Sequence, residues 1–68
     1  MAKNIEWREI EALFKTAGAI AIEGSGSRVR FVLGDVVATF HRPHPKKEAK
    51  PYQVRDARLF LNKAGIQQ

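Results

Sequence analysis

Two apolar-rich runs, RVRFVL (residues 28–33) and VVATFH (residues 36–41), flank the pair Gly34-Asp35. This hairpin signature constrains the fold more than any other part of the chain. A glycine-first pair suits a two-residue type II′ turn, because glycine enters positive φ without a Cβ clash. With Gly34 and Asp35 as the loop, facing positions have numbers that sum to 69. Leu33 then faces Val36, Phe31 faces Ala38, Val29 faces Phe40 and Arg28 faces His41. Strand side chains alternate, so Val29, Phe31, Leu33, Val36, Ala38 and Phe40 share an apolar face. Arg28, Arg30, Thr39 and His41 share the opposite one. A slip of one residue would mix the two sets. The clean segregation supports the register.

The flanks supply the other elements. Residues 5–17, IEWREIEALFKTA, predict a helix with Asn4 as its N-cap and Glu6 and Glu9 in the first turns, where the helix dipole favours them. Trp7, Ile10, Leu13, Phe14 and Ala17 fall on one face at helical spacing, so Trp7 reads as core or interface rather than as a base-stacking residue. Gly18 is placed to end the helix. The run AIAI (19–22) reads as a short buried strand, and EGSGS (23–27) as a flexible link without the GxxxxGK[ST] pattern of a phosphate loop. RPHPKKEAKP (42–51) is Pro-punctuated and basic, hence an exposed loop. Pro51 suits the first turn of a final helix, YQVRDARLFLNKA, ended by Gly65. Val54, Ala57, Leu61 and Ala64 form its buried stripe, with Arg55, Arg58 and Asn62 on the wet side. The expectation is an α+β protein: α-β-β-β-α, a two-layer sandwich with a three-stranded antiparallel sheet and both helices on one face. Residues 1–68 form a single domain in this reading, since 68 residues leave room for one core.

The formal net charge of +5 is unevenly placed. Before Arg28 there are three bases and four acids; from Arg28 to Arg58 there are eight bases and three acids. That is the footprint expected for a phosphate backbone, and also what a merely solvated surface would carry. The absence of cysteine excludes disulfides and thiolate metal sites and fits a reducing cytoplasm. No apolar run reaches the roughly 20 residues that span a bilayer, and no charged-then-apolar leader is visible. The expected location is cytoplasmic, without a membrane partner.

Candidate chemistry centres on the histidines. His41 and His44 form an H-x-x-H that crosses from a strand into a Pro turn, at best half a metal site, so no metal and no cofactor is expected. Ser25 and Ser27 lie in a glycine link with nothing to orient a base, which argues against acyl chemistry. RNA strand cleavage demands less: a base for the 2′-hydroxyl, an acid for the leaving 5′-oxygen, and cations around the phosphorane. Histidine titrates near neutral pH and serves either proton-transfer role, while Arg and Lys clamp the developing charge. His41 facing Arg28, with Arg30 one pleat away, puts an imidazole and two guanidiniums on one open face. The plainer alternative is a surface His beside surface Arg.

The α-β-β-β-α order, GSRVRF (Gly26–Phe31), PHPKKEAKP (Pro43–Pro51) and the closing LNKAGI (Leu61–Ile66) together resemble the HicA toxins of bacterial type II toxin–antitoxin systems. The resemblance covers nearly the whole chain, and its specificity lies in the strand motif and the Pro-His-Pro turn taken together. It implies a fold like that of double-stranded-RNA-binding domains. It also implies a metal-independent endoribonuclease that cleaves mRNA, arrests translation and is neutralised by a HicB-type antitoxin. The family's strand motif usually reads Gly-Ser-His, with that His catalytic; here Arg28 follows Gly26-Ser27. Since His41 faces Arg28, the catalytic assignment is His41 with Arg28. Ser27, Arg30, Thr39 and Arg42 are the expected RNA-binding residues of the hairpin. His44, Lys46, Lys47 and Lys50 are those of the turn, with Pro43 and Pro45 holding it. The alternatives are a non-catalytic RNA-binding module of the same fold, and a protein whose main task is binding a partner, or operator DNA together with that partner.

Overall fold

A computed structural model of the chain describes residues 5–44 and 46–66. The elements run α1 (Trp7–Ala17), β1 (Ile20–Glu23), β2 (Arg28–Leu33), β3 (Val36–His41) and α2 (Pro51–Lys63). The three strands form an antiparallel sheet in the order β1-β2-β3. Every pair expected in the hairpin is present, from Leu33↔Val36 to Arg28↔His41. Gly34 has φ +62°, and among the described residues no non-glycine residue has positive φ. Positive φ at the first turn residue alone is the type II′ pattern rather than type I′.

Both helices cover one face of the sheet. The core is an aromatic cluster joining Trp7 and Phe14 of α1, Phe31 of β2, Phe40 of β3 and Phe60 of α2. Phe14 meets Phe31 edge-on at 4.8 Å and Phe60 at 4.9 Å, and Trp7 meets Phe40 at 5.2 Å. Such tilted pairs add roughly 0.5–1.5 kcal/mol each beyond their buried area.

Four details differ from the sequence reading. The N-cap of α1 is Glu6, whose N–H donates to the Glu9 carboxylate at 3.0 Å, and α1 begins at Trp7; Asn4 lies outside the described residues. Leu13, expected in the core stripe, is half exposed, because Trp7, Ile10 and Phe14 already fill the face toward the sheet. Strand β1 is not buried. It is a sheet edge, and its register sets Ile20 against Val32 and Ile22 against Arg30 on the side away from the helices, where both isoleucines are exposed. The stripe of α2 is Gln53, Ala57, Phe60 and Leu61, with Val54 and Ala64 only partly buried.

The basic loop is held as well as exposed. Trp7 N–H donates to the Lys47 carbonyl (2.8 Å) and Ala49 N–H to the Ile5 carbonyl (2.7 Å), strapping the loop to the chain entering α1. Pro45 lies outside the described residues.

Candidate RNA-cleaving face

The sheet register builds the candidate site. On the face away from the helices, cross-strand rows run Ile20–Val32–Val37, then Ile22–Arg30–Thr39, then Arg28–His41. Arg28, Arg30, Thr39 and His41 are all exposed. One end of the face is cationic and hydrogen-bonding; the other is aliphatic. The polar end matches the expectation from sequence; Val32 and Val37 of the apolar end do not figure in it, although the same alternation rule places them there.

The end of β3 is gripped twice. The carboxamide of Gln53, 1% exposed, donates from Nε2 to the His41 carbonyl at 2.7 Å and accepts at Oε1 from the Lys50 N–H at 2.8 Å. It joins α2 to the strand residue that carries the imidazole. The legible signal for Gln53 was its position, three residues after the N-cap Lys50, where a Gln side chain reaches back to the cap N–H.

The second grip comes from Arg42. Next to His41 on an alternating strand, it points toward the helices instead. Its Nε donates to Glu11 at 2.6 Å, and NH1 and NH2 donate to the two oxygens of Glu23 at 2.6 and 2.8 Å. Trp7 Nε1 donates to the same Glu11 oxygen. The hydrogen bonds from Arg42, followed by its charge, hold the Glu23 carboxyl below the usual carboxylate range. Its hydrogen bonds to Glu23 and then to Glu11 push the Arg42 guanidinium further up from its ordinary value. Its guanidinium is committed to this clasp, so the structure does not bring Arg42 to the candidate face.

Of the remaining expected residues, Ser27 is exposed at the foot of β2, its carbonyl accepting from the Arg42 N–H at 2.9 Å. His44, Lys46, Lys47 and Lys50 are exposed along the loop, and Pro43 is half-buried. Among the described residues, no three His, Asp or Glu side chains gather as a metal-ligand group. No helix among them is long and apolar enough to cross a membrane.

Residues 7–66 match the family model described as the HicA toxin of bacterial toxin–antitoxin systems. The chain belongs to the HicA toxin family. No curated protein sequence and no solved structure gave a match. For a HicA toxin the notable feature of this chain is Arg28, which takes the strand position after Gly26-Ser27 and carries no imidazole.

Proposed function

We propose that this HicA toxin is a cytoplasmic, metal-independent endoribonuclease that cleaves mRNA and is neutralised by a HicB-type antitoxin. The observation that carries the reading is the facing pair Arg28↔His41, with Arg30↔Thr39 two positions along on the same exposed face. The His41 imidazole takes the proton from a ribose 2′-hydroxyl as that oxygen attacks the adjacent phosphorus. The O2′–P bond forms, the P–O5′ bond breaks, and a 2′,3′-cyclic phosphate and a 5′-hydroxyl result. The guanidiniums of Arg28 and Arg30 stabilise charge on the phosphorane. A guanidinium does not give up its proton in proteins, so another group, such as His44, a lysine or water, supplies the proton that the leaving oxygen needs. Ser27, Thr39 and the loop residues His44, Lys46, Lys47 and Lys50 extend the contact to neighbouring phosphates and riboses.

The test is induction of wild type, His41→Ala and Arg28→Ala in cells with transcript-end mapping, alongside incubation of purified protein with a transcript in EDTA. His41→Ala is expected to abolish growth arrest and lower cleavage by about 10²–10⁴, the share of one proton-transfer group; His44→Ala is expected to be milder. Intact toxicity of His41→Ala would overturn the assignment. The second reading, an RNA-binding module without cleavage, is favoured by Arg28 at the usual His position. It predicts retention of the transcript with no new ends.

A further inference from the structure

We propose that β3 is a dimerisation edge: two copies pair their β3 strands antiparallel about a twofold axis at Ala38, with their α2 helices side by side. Two three-stranded sheets then form one continuous sheet. The inference stands apart from the cleavage reading, since none of its groups belongs to the candidate site except the Thr39 backbone.

The two edges of the sheet are unlike. β1 has four residues and ends at Glu23, whose carboxylate is held by Arg42. β3 has six, VVATFH, rich in β-branched residues and free of Pro, Lys and acids. Edges of that kind attract another strand unless they are blunted.

The ladder fixes which backbone groups β3 offers. Arg42 N–H bonds to the Ser27 carbonyl at 2.9 Å, so by alternation Phe40, Ala38 and Val36 also bond toward β2. Val37, Thr39 and His41 then turn their backbone groups to the outer edge. The His41 carbonyl is already taken by Gln53 at 2.7 Å, which stops a neighbouring strand there. Val37 and Thr39 are the residues left to pair. Val37 opposite Thr39 of a second copy makes a hydrogen-bonded pair, the twofold repeats it, and Ala38 meets Ala38 on the axis.

The helix beside that edge is self-complementary about the same level. A groove of about 200 Å³ lies between β3 and Asp56, Leu59, Phe60 and Lys63 of α2, with Leu59 half exposed. The Gln53–His41 contact aligns the two elements. Ala38 lies about 10 Å back along the strand at 3.4 Å per residue. On a helix rising 1.5 Å per residue, that is about seven residues past Gln53, at Phe60. A twofold between Leu59 and Phe60 sets Asp56 of one copy opposite Lys63 of the other. The strand hydrogen bonds set the axis at Ala38, and the pairing of Asp56 with Lys63 across it is compatible with that level. Asp56 meanwhile makes a long contact, 3.9 Å, to the neighbouring Arg55. Such an isologous contact closes on itself rather than growing into a filament. It also sets the two candidate faces on one surface, with the His41 residues about 20 Å apart along the strands.

The test is sedimentation of the purified full chain from about 10 µM to about 1 mM, a range suited to a small interface. The mass is expected to rise toward twice the 7.7 kDa of one chain. Val37→Pro removes the outward N–H and leaves the β2 ladder intact. Asp56→Lys and Lys63→Asp each set like charges across the axis. Each of the three is expected to weaken association about tenfold or more, and the double exchange Asp56→Lys with Lys63→Asp to restore it. Circular dichroism and melting confirm that each variant is folded; should Val37→Pro fail to fold, the charge-exchange set decides. A wild-type monomer throughout, folded single variants that associate like wild type, or a double exchange no better than its parents would each overturn the proposal.

Discussion

Replacing Gln53 by glutamate tests the clamp on β3 with almost no change of shape. The glutamine accepts from Lys50 N–H at 2.8 Å and donates to the His41 carbonyl at 2.7 Å. A carboxylate keeps the first bond and turns the second into two oxygens facing each other. The loss of one hydrogen bond, together with an unpaired buried carbonyl, costs about 2–3 kcal/mol. Whole-domain stability at this length is about 3–10 kcal/mol, so the effect is large. A protonated carboxyl, however, can donate again. Its folded-state pKa therefore rises above the unfolded value of about 4.3, and a rise of about two units accounts for about 2.7 kcal/mol. With the folded pKa raised, the folded state binds more protons between the two values, and stability falls as pH rises through that window. The assay is urea unfolding followed by the fluorescence of Trp7, the chain's sole tryptophan, which is buried in the core. With a urea slope of about 1 kcal/mol per molar, Gln53→Glu should lower the midpoint by about 2–3 M at pH 7.5. At pH 4 the same variant should lose less than about 1 M relative to wild type. Equal deficits at both pH values would refute the clamp.

Two further perturbations probe other parts of the frame. Arg42→Met leaves Glu11 and Glu23 without their cation, and the folded-state carboxyl of Glu23 returns toward its ordinary value. Because Arg42 depresses that pKa, its contribution is present above the unfolded value of about 4.3 and is lost as pH falls through the folded value. The stability gap between wild type and Arg42→Met should therefore narrow in acid, as read by thermal melting at several pH values. Gly34→Ala should cost about 1–2 kcal/mol, since φ +62° is unfavourable for a Cβ although nothing lies within 4 Å of where one would sit. Gly34→Asn should cost less, because asparagine is among the residues that primed hairpin turns accept at positive φ; equal losses in melting would place the penalty in contacts rather than in the backbone.

The hairpin was legible because its two signals, turn chemistry and period-two alternation, act over a few residues and leave one register that separates apolar from polar. The cross-strand facing of Arg28 and His41 follows from that register alone. What the sequence did not disclose were partnerships between distant segments. Nothing near residue 42 in the chain indicates that its guanidinium is shared by Glu11 and Glu23, 31 and 19 positions away. Counted as a surface cation, Arg42 reads as an RNA contact. Gln53 escapes notice for the opposite reason: a polar residue on a helix reads as solvent-facing until its buried partners are known. Ile20 and Ile22 read as core because they are apolar, but a three-stranded sheet with two helices on one side leaves its other face bare.

The hold of Gln53 on the His41 carbonyl also bears on the order of synthesis. Chains grow from the N-terminus and fold as they emerge, and residue 53 belongs to the last helix. A nascent chain that has extruded both hairpin strands has not yet extruded the side chain that steadies the end of β3. A product stalled or cut short before α2 carries Arg28 and His41 without that clamp. The end of β3 is thus held only after the last helix has left the ribosome and docked.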